Sequence, residues 1–165
     1  MDIITLGGRD ELCLKETASA IADINDSVLQ LSQAMLETMH EGKGVGLAGP
    51  QVGFVKRIFV THAQGDQDRV FINPDIIQTS LETVTYEEGC LSIPGVYAEV
   101  VRPAGIVIQG WNEKGRPFKL TAEGILARII QHEYDHLRGV LFLDRINEKR
   151  RERILKSYGR KIKSL

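Results

Sequence analysis

The chain has 165 residues, 42% apolar and 26% charged, with 21 Lys/Arg against 22 Asp/Glu and a formal charge of −1. These proportions belong to an ordinary globular chain and exclude a disordered, fibrous or generally nucleic-acid-coating protein. No run approaches about 18 consecutive apolar residues, and Met1-Asp2-Ile3-Ile4 lacks a basic region leading into a long apolar core. Two cysteines, Cys13 and Cys90, make no disulfide framework. A single domain over residues 1–165, in a reducing cytoplasm and away from membranes, is therefore expected. The charge is uneven, since residues 146–165 carry 8 Lys/Arg and 2 Asp/Glu against 13 and 20 in the remainder. A basic C-terminal helix over 146–165 with an anionic partner follows as an expectation, beside the plainer reading of a solvated face.

Val28, Leu31, Met35 and Met39 recur on one helical face, with Asn25, Asp26 and Ser27 as caps and Gly42 and Gly44 as stops. Strand-like runs follow at Lys56–His62, Arg69–Asn73, Thr83–Glu87, Tyr97–Arg102, Gly105–Trp111 and Pro117–Leu120, with a turn expected at Asn73-Pro74. Their close spacing leaves no room for crossover helices and predicts antiparallel pairing. A second helix is predicted over Thr121–Leu137, capped by Thr121 and ended by Gly139. A third is predicted over Asn147–Lys163. Its charged stripe is Lys149, Arg153, Lys156, Arg160 and Lys163, opposite Ile154, Tyr158, Ile162 and Leu165. The fold class expected is α+β, mostly antiparallel strands packed around a central metal-binding helix, with a C-terminal helix.

The strongest chemical signal is His132-Glu133-Tyr134-Asp135-His136. On a helix the two imidazoles lie about 40° apart on one face, joined there by Ile125 and Ile129, so both can reach one metal ion. Glu133 falls at the edge of that stripe, where a carboxylate can reach water held by the metal. A catalytic site usually takes three protein ligands, so a later His or Glu, or a cysteine, is needed. No His follows His136, and Asp144 and the tail acids sit in poor contexts. Cys90, in Glu88-Gly89-Cys90-Leu91-Ser92-Ile93-Pro94, sits where a turn could present a thiolate. Cys13, between Leu12 and Leu14, reads as packing. The small-residue run Gly42–Gln51 lacks the Lys-Ser/Thr of a phosphate loop; it suggests close backbone approach to a ligand, with Gln51 offering a neutral amide donor.

Three segments together resemble the peptide deformylase family, whose motifs are G-x-G-L-A-A-x-Q, E-G-C-L-S and Q-H-E-x-D-H. Here they stand as Gly44-Val45-Gly46-Leu47-Ala48-Gly49-Pro50-Gln51, Glu88-Gly89-Cys90-Leu91-Ser92 and Gln131-His132-Glu133-Tyr134-Asp135-His136, in the same order and spacing. Gly49 replaces the family's usual Ala, and the missing methyl is expected to loosen the loop without removing a functional group. The resemblance implies removal of the formyl group from the N-terminal formylmethionine of nascent polypeptides. It implies one divalent ion on Cys90, His132 and His136, with water as fourth ligand. Ferrous iron is the ion implied, with Zn2+, Ni2+ or Co2+ as substitutes, since the ligand types alone fit zinc equally. Glu133 becomes general base and then acid, and the Gln51 amide and Leu91 backbone N–H become donors to the oxyanion. Val45, Gly46 and Gly89 are assigned to the substrate backbone, and Ile125 and Ile129 to the walls of a methionine pocket. The ribosome becomes the partner of the basic tail. Asp135 is left between two roles, a partner for a ligand His or for Arg102. Two rival readings are an H-E-x-x-H metallopeptidase and a closed structural metal site completed by His40 or His62.

Overall fold

The computed structural model describes residues 1–163; Leu165, placed above on the apolar face of the tail, lies outside them. The chain runs through α1 (Asp26–Glu41), β1 (Gly46–Ala48), β2 (Ile58–Thr61), β3 (Arg69–Thr79) and β4 (Thr83–Cys90). It continues through β5 (Ile93–Pro103), β6 (Gly105–Trp111), β7 (Pro117–Glu123), α2 (Gly124–His136) and α3 (Glu148–Lys163). Strands in the order β1-β2-β3-β6-β7 make one sheet, and β4 and β5 make a separate two-stranded ribbon. The ladders between these strands are antiparallel, as the short connections require. The fold is α+β, with α2 in contact with both the large sheet and the ribbon.

The burial of β2 explains how the layers hold together. All four of its residues are buried, and successive side chains point to opposite faces. Ile58 and Val60 join Val28, Met35 and Met39 of α1 in one cluster, while Phe59 joins Ala127 and Ile130 of α2 in another. Phe59 stacks on Phe71 at 4.6 Å between ring centroids, and Phe71 meets Phe118 edge to face at 5.5 Å. The large sheet is thus clamped between the two helices. A third cluster joins Ile93, Ala98 and Val100 of β5 to Phe142, Leu143 and Tyr158. The tail helix docks there, with Ile154 and Ile162 packed against the cluster and the Tyr158 hydroxyl donating to the Leu6 carbonyl at 2.6 Å. Its five-residue basic stripe faces outward, and the helix continues through Gly159.

Several sequence expectations change in detail. The N-cap of α1 is Asn25, whose side chain accepts from the Val28 N–H. Thr121 caps nothing: it is still in β7, paired with Val107, and the chain enters α2 at Gly124 with a φ of 62°. That left-handed corner suits glycine. Asn73-Pro74 is a bulge inside β3 rather than a turn. Asn73 takes a φ of 49°, and its amide pairs with both backbone groups of Ile21. The small-residue run contains a strand, β1, at the edge of the large sheet.

Gly49 does not loosen its loop. A Cβ there would collide with the Phe54 carbonyl oxygen and stand 3.0 Å from the Lys56 carbonyl oxygen and 3.1 Å from Ile58 Cγ2. The backbone has closed into the space of the missing methyl. Restoring the family's residue with Gly49→Ala should therefore destabilise the protein by about 1–3 kcal/mol in urea unfolding; an unchanged or raised midpoint would contradict this packing.

Candidate metal centre and cleft

Glu88 and Cys90 sit two residues apart at the end of β4, next to a register shift between Gly89 and Cys90. Helix α2 brings Arg128, His132, Glu133, Asp135 and His136 against them, each of these five buried. Cys90 Sγ lies 3.4 Å from His136 Nε2. One ligating atom from each of Cys90, His132 and His136 lies within 4.8 Å of the other two. His132 Nδ1 is 2.9 Å from Glu88 Oε1. That contact leaves Nε2 as the ring's ligating atom, the arrangement in which a carboxylate fixes a metal-binding imidazole. The set fits a divalent transition metal: one soft thiolate, two imidazoles and an orienting acid.

Glu88 is the anchor of a buried charge network. Arg102 Nε and Nη2 donate to it at 2.6 and 2.9 Å, and Arg128 Nη1 at 2.5 Å. Asp135 takes a third hydrogen bond from Arg102, at 2.9 Å, and two from Arg145, at 2.7 and 3.0 Å. Asp135 is thus the partner of Arg102 and not of a ligand histidine. Burial works against the Glu88 anion, yet the hydrogen bonds from His132 and Arg102 hold its pKa down, at about 2. Burial pushes Glu133 the other way, up to about 7. Its Oε1 is buried without a partner among the described residues. Burial also holds His136 well below the usual imidazole value, with the neighbouring His132 adding to the effect.

Gln51 comes from the 3₁₀ turn after β1 and is 1% exposed. Its Oε1 accepts from the Ala48 N–H at 2.9 Å, which fixes the amide; its Nε2 donates to Ser92 Oγ at 3.0 Å and weakly to Cys90 Sγ at 3.5 Å. Gly46 abuts the Glu133 carboxylate: a Cβ there would lie 2.5 Å from Glu133 Oε2. The small residue makes room for a side chain of this chain as well as for any ligand.

These groups open on a cavity of about 600 Å³. Among the expected residues it is lined by Val45, Gly46, Gln51, Gly89, Cys90, Leu91, Ile125, Ile129, His132 and Glu133, while His136 is not among the lining. Ile129 is 4% exposed and forms a wall; Ile125, at 43%, stands at the rim. His40 and His62 do not join this group and converge instead on Asp68. The sequence reading missed Glu88, Arg128, Tyr86 and Tyr97 as site residues. Glu88 shares a strand face with Cys90 and Arg128 lies four residues before His132, spacings that carried the signal.

A profile of the polypeptide deformylase family matches residues 1–152. The chain belongs to that family. It is 52% identical over 145 residues to peptide deformylase 1 of Clostridium perfringens, covering 87% of this chain and 98% of that one. It is 46% identical over 149 residues to the peptide deformylase of Treponema pallidum strain Nichols, covering 90% and 91%. Among solved structures, the peptide deformylase of Synechococcus elongatus in complex with actinonin superposes with a TM-score of 0.89 at 42% identity, covering 96% of this chain and 86% of that one. That of Thermus thermophilus gives 0.86 at 40%, covering 94% and 90%. The deformylase reading therefore holds, and the metallopeptidase reading is not favoured.

Replacing Glu88 by Gln should destabilise the fold by about 3–5 kcal/mol, because it leaves two buried arginines short of their counter-charge. Urea unfolding would measure this, and a loss below about 1 kcal/mol would show that the network does not depend on the Glu88 charge.

Proposed function

We propose that Cys90, His132 and His136 hold one divalent ion with which this deformylase removes the formyl group of N-formylmethionyl nascent peptides. The observation that carries the assignment is Glu133: a buried carboxylate with one unpartnered oxygen beside three converging metal-ligand side chains. When bound, the ion supplies Lewis acidity and lets water ionise near neutral pH. Glu133 takes the proton of the attacking water as its oxygen bonds to the formyl carbon. Its pKa of about 7 suits both halves of this task. The same carboxyl then delivers the proton to the peptide nitrogen as the C–N bond breaks and formate departs. Gln51 Nε2 and the Leu91 backbone N–H donate to the developing oxyanion; the substrate oxygen displaces only the weak contact from Nε2 to Cys90 Sγ. Losing one such donor costs about 2.7–4 kcal/mol in the barrier.

Strand β1 ends the large sheet, so the substrate backbone adds beside Val45 and Gly46, with Gly89 on the facing ribbon. Ile125 and Ile129 receive the methionine side chain. We take Fe2+ as the resident ion from the family resemblance, with Zn2+, Ni2+ and Co2+ satisfying the same donors. No helix among the described residues is long and apolar enough to cross a membrane. We place the protein in the cytoplasm, with residues 1–165 as one catalytic domain.

Glu133→Ala should keep its metal and lose turnover of a formyl-Met peptide, while Cys90→Ser should lose both and Cys13→Ser neither. Metal analysis beside the peptide assay tests all three. Loss of metal from the Glu133 variant, or equal effects at the two cysteines, would overturn the assignment.

We also propose that the basic stripe of α3 binds ribosomal RNA by neutralising phosphates. It rests on five exposed cations opposite a packed apolar face. Ribosome co-sedimentation should fall steeply with salt and be lost in a Lys149/Arg153/Lys156/Arg160→Glu variant that still deformylates a short peptide. Equal co-sedimentation of the variant would leave the stripe without a docking role.

A further inference from the structure

Away from the cleft, a second group of side chains has the donor types and the convergence a metal needs. His40 lies in the last turn of α1, His62 directly follows β2, and Asp68 directly precedes β3. Asp68 Oδ1 is 2.8 Å from His40 Nε2 and 2.6 Å from His62 Nδ1. One ligating atom from each residue lies within 4.8 Å of the other two. The imidazoles meet edge to face, 5.1 Å apart and inclined at 74°.

The scaffold holds these donors in place without a metal. Thr61 and Arg69 are paired across the β2–β3 hairpin, so His62 and Asp68 stand at the two ends of one closed turn. Asp66 stiffens that turn with two hydrogen bonds from Arg69, at 2.7 and 3.0 Å. The His62 N–H donates to the Val45 carbonyl at 2.8 Å. Helix α1 is fixed over β2 by the core beneath it. No Lys or Arg is paired with Asp68 among the described residues, so its charge faces two imidazoles that are neutral unless protonated.

We propose that His40, His62 and Asp68 form a second, surface metal site that takes a divalent transition-metal ion of the zinc class. Two imidazole nitrogens and one carboxylate oxygen suit Zn2+, Co2+, Ni2+ or Cu2+, whereas Mg2+ and Ca2+ want oxygen ligands throughout. Zinc at its usual distances sets tetrahedral ligand atoms about 3.4 Å apart. The two contacts to Asp68 reach this by opening less than about 1 Å, a rotation within reach of exposed side chains. The three side chains are 46%, 37% and 46% exposed, so the ion enters from solvent and water completes its shell. An ion here ties the end of α1 to the β2–β3 hairpin, across the segment that leads into β1.

Zinc itself is the probe. Zinc-loaded enzyme, dialysed against excess zinc, should hold a second equivalent per chain. The variants His62→Ala and the nearly isosteric Asp68→Asn should bind that second ion at least about tenfold more weakly. Deformylation should be unchanged in both variants, since none of the three residues lines the cleft. Magnesium in large excess should leave the second zinc in place. A wild-type protein that stays at one zinc, or variants that bind the second ion as tightly as wild type, would show only a hydrogen-bonded surface triad and overturn the proposal. Displacement by magnesium would overturn the assignment to the zinc class.

Discussion

The Glu88 carboxylate is where the ribbon and the central helix meet. It lies on β4, takes two hydrogen bonds from Arg102 of β5, and reaches Arg128 and His132 on α2. Buried ion networks of this kind add little net stability, since desolvation offsets most of the attraction, but removing one partner is costly. What the network gives is orientation. Glu88 Oε1 turns the His132 ring and is held by Arg102 Nη2, while Arg102 Nε and Arg128 Nη1 hold Oε2. Asp135 extends the chain of contacts to Arg145, beyond the end of α2. The ligand set is therefore positioned by charge pairs that exist without the metal.

Around that anchor, the environment separates two carboxylates of one site by several pKa units. Glu88 is buried among cations and stays ionised; Glu133 is buried with an oxygen left over and holds its proton near neutrality. Both are acids on the same cavity, yet their partners assign them different work. Gln51 shows the same economy, since one end of its amide is tied to the Ala48 N–H and only the other is free to exchange partners.

Much of the site was legible because its residues fall into short motifs. The paired histidines needed only the helical period to share a face, and Cys90 and Gln51 stood in segments whose small residues marked turns and close approaches. The strands were legible too, since their β-branched runs are separated by turn residues. What the sequence hid depended on contacts between segments. Arg102 occupies an inward position in the alternation of β5 with Ala98 and Val100, but nothing local says that a buried acid awaits it. Thr121 looks like a helix cap, yet pairing with β6 outweighs that local preference and keeps it in a strand. The Gly49 contact is invisible in sequence because its tightest partners, Phe54 and Lys56, meet it through backbone oxygens that any residue would carry.

Gly46 places an unusual limit on variation in the cleft. Because its missing Cβ is the space in which the Glu133 carboxylate lies, any other residue there displaces that carboxylate. The flanking strand presents backbone rather than side chain to whatever lies along it. An inhibitor that pairs with the main chain at this edge would therefore contact atoms that no codon change can remove. Escape by substitution at position 46 would drive the buried Glu133 carboxylate from its place, which leaves the cavity walls as the positions free to vary.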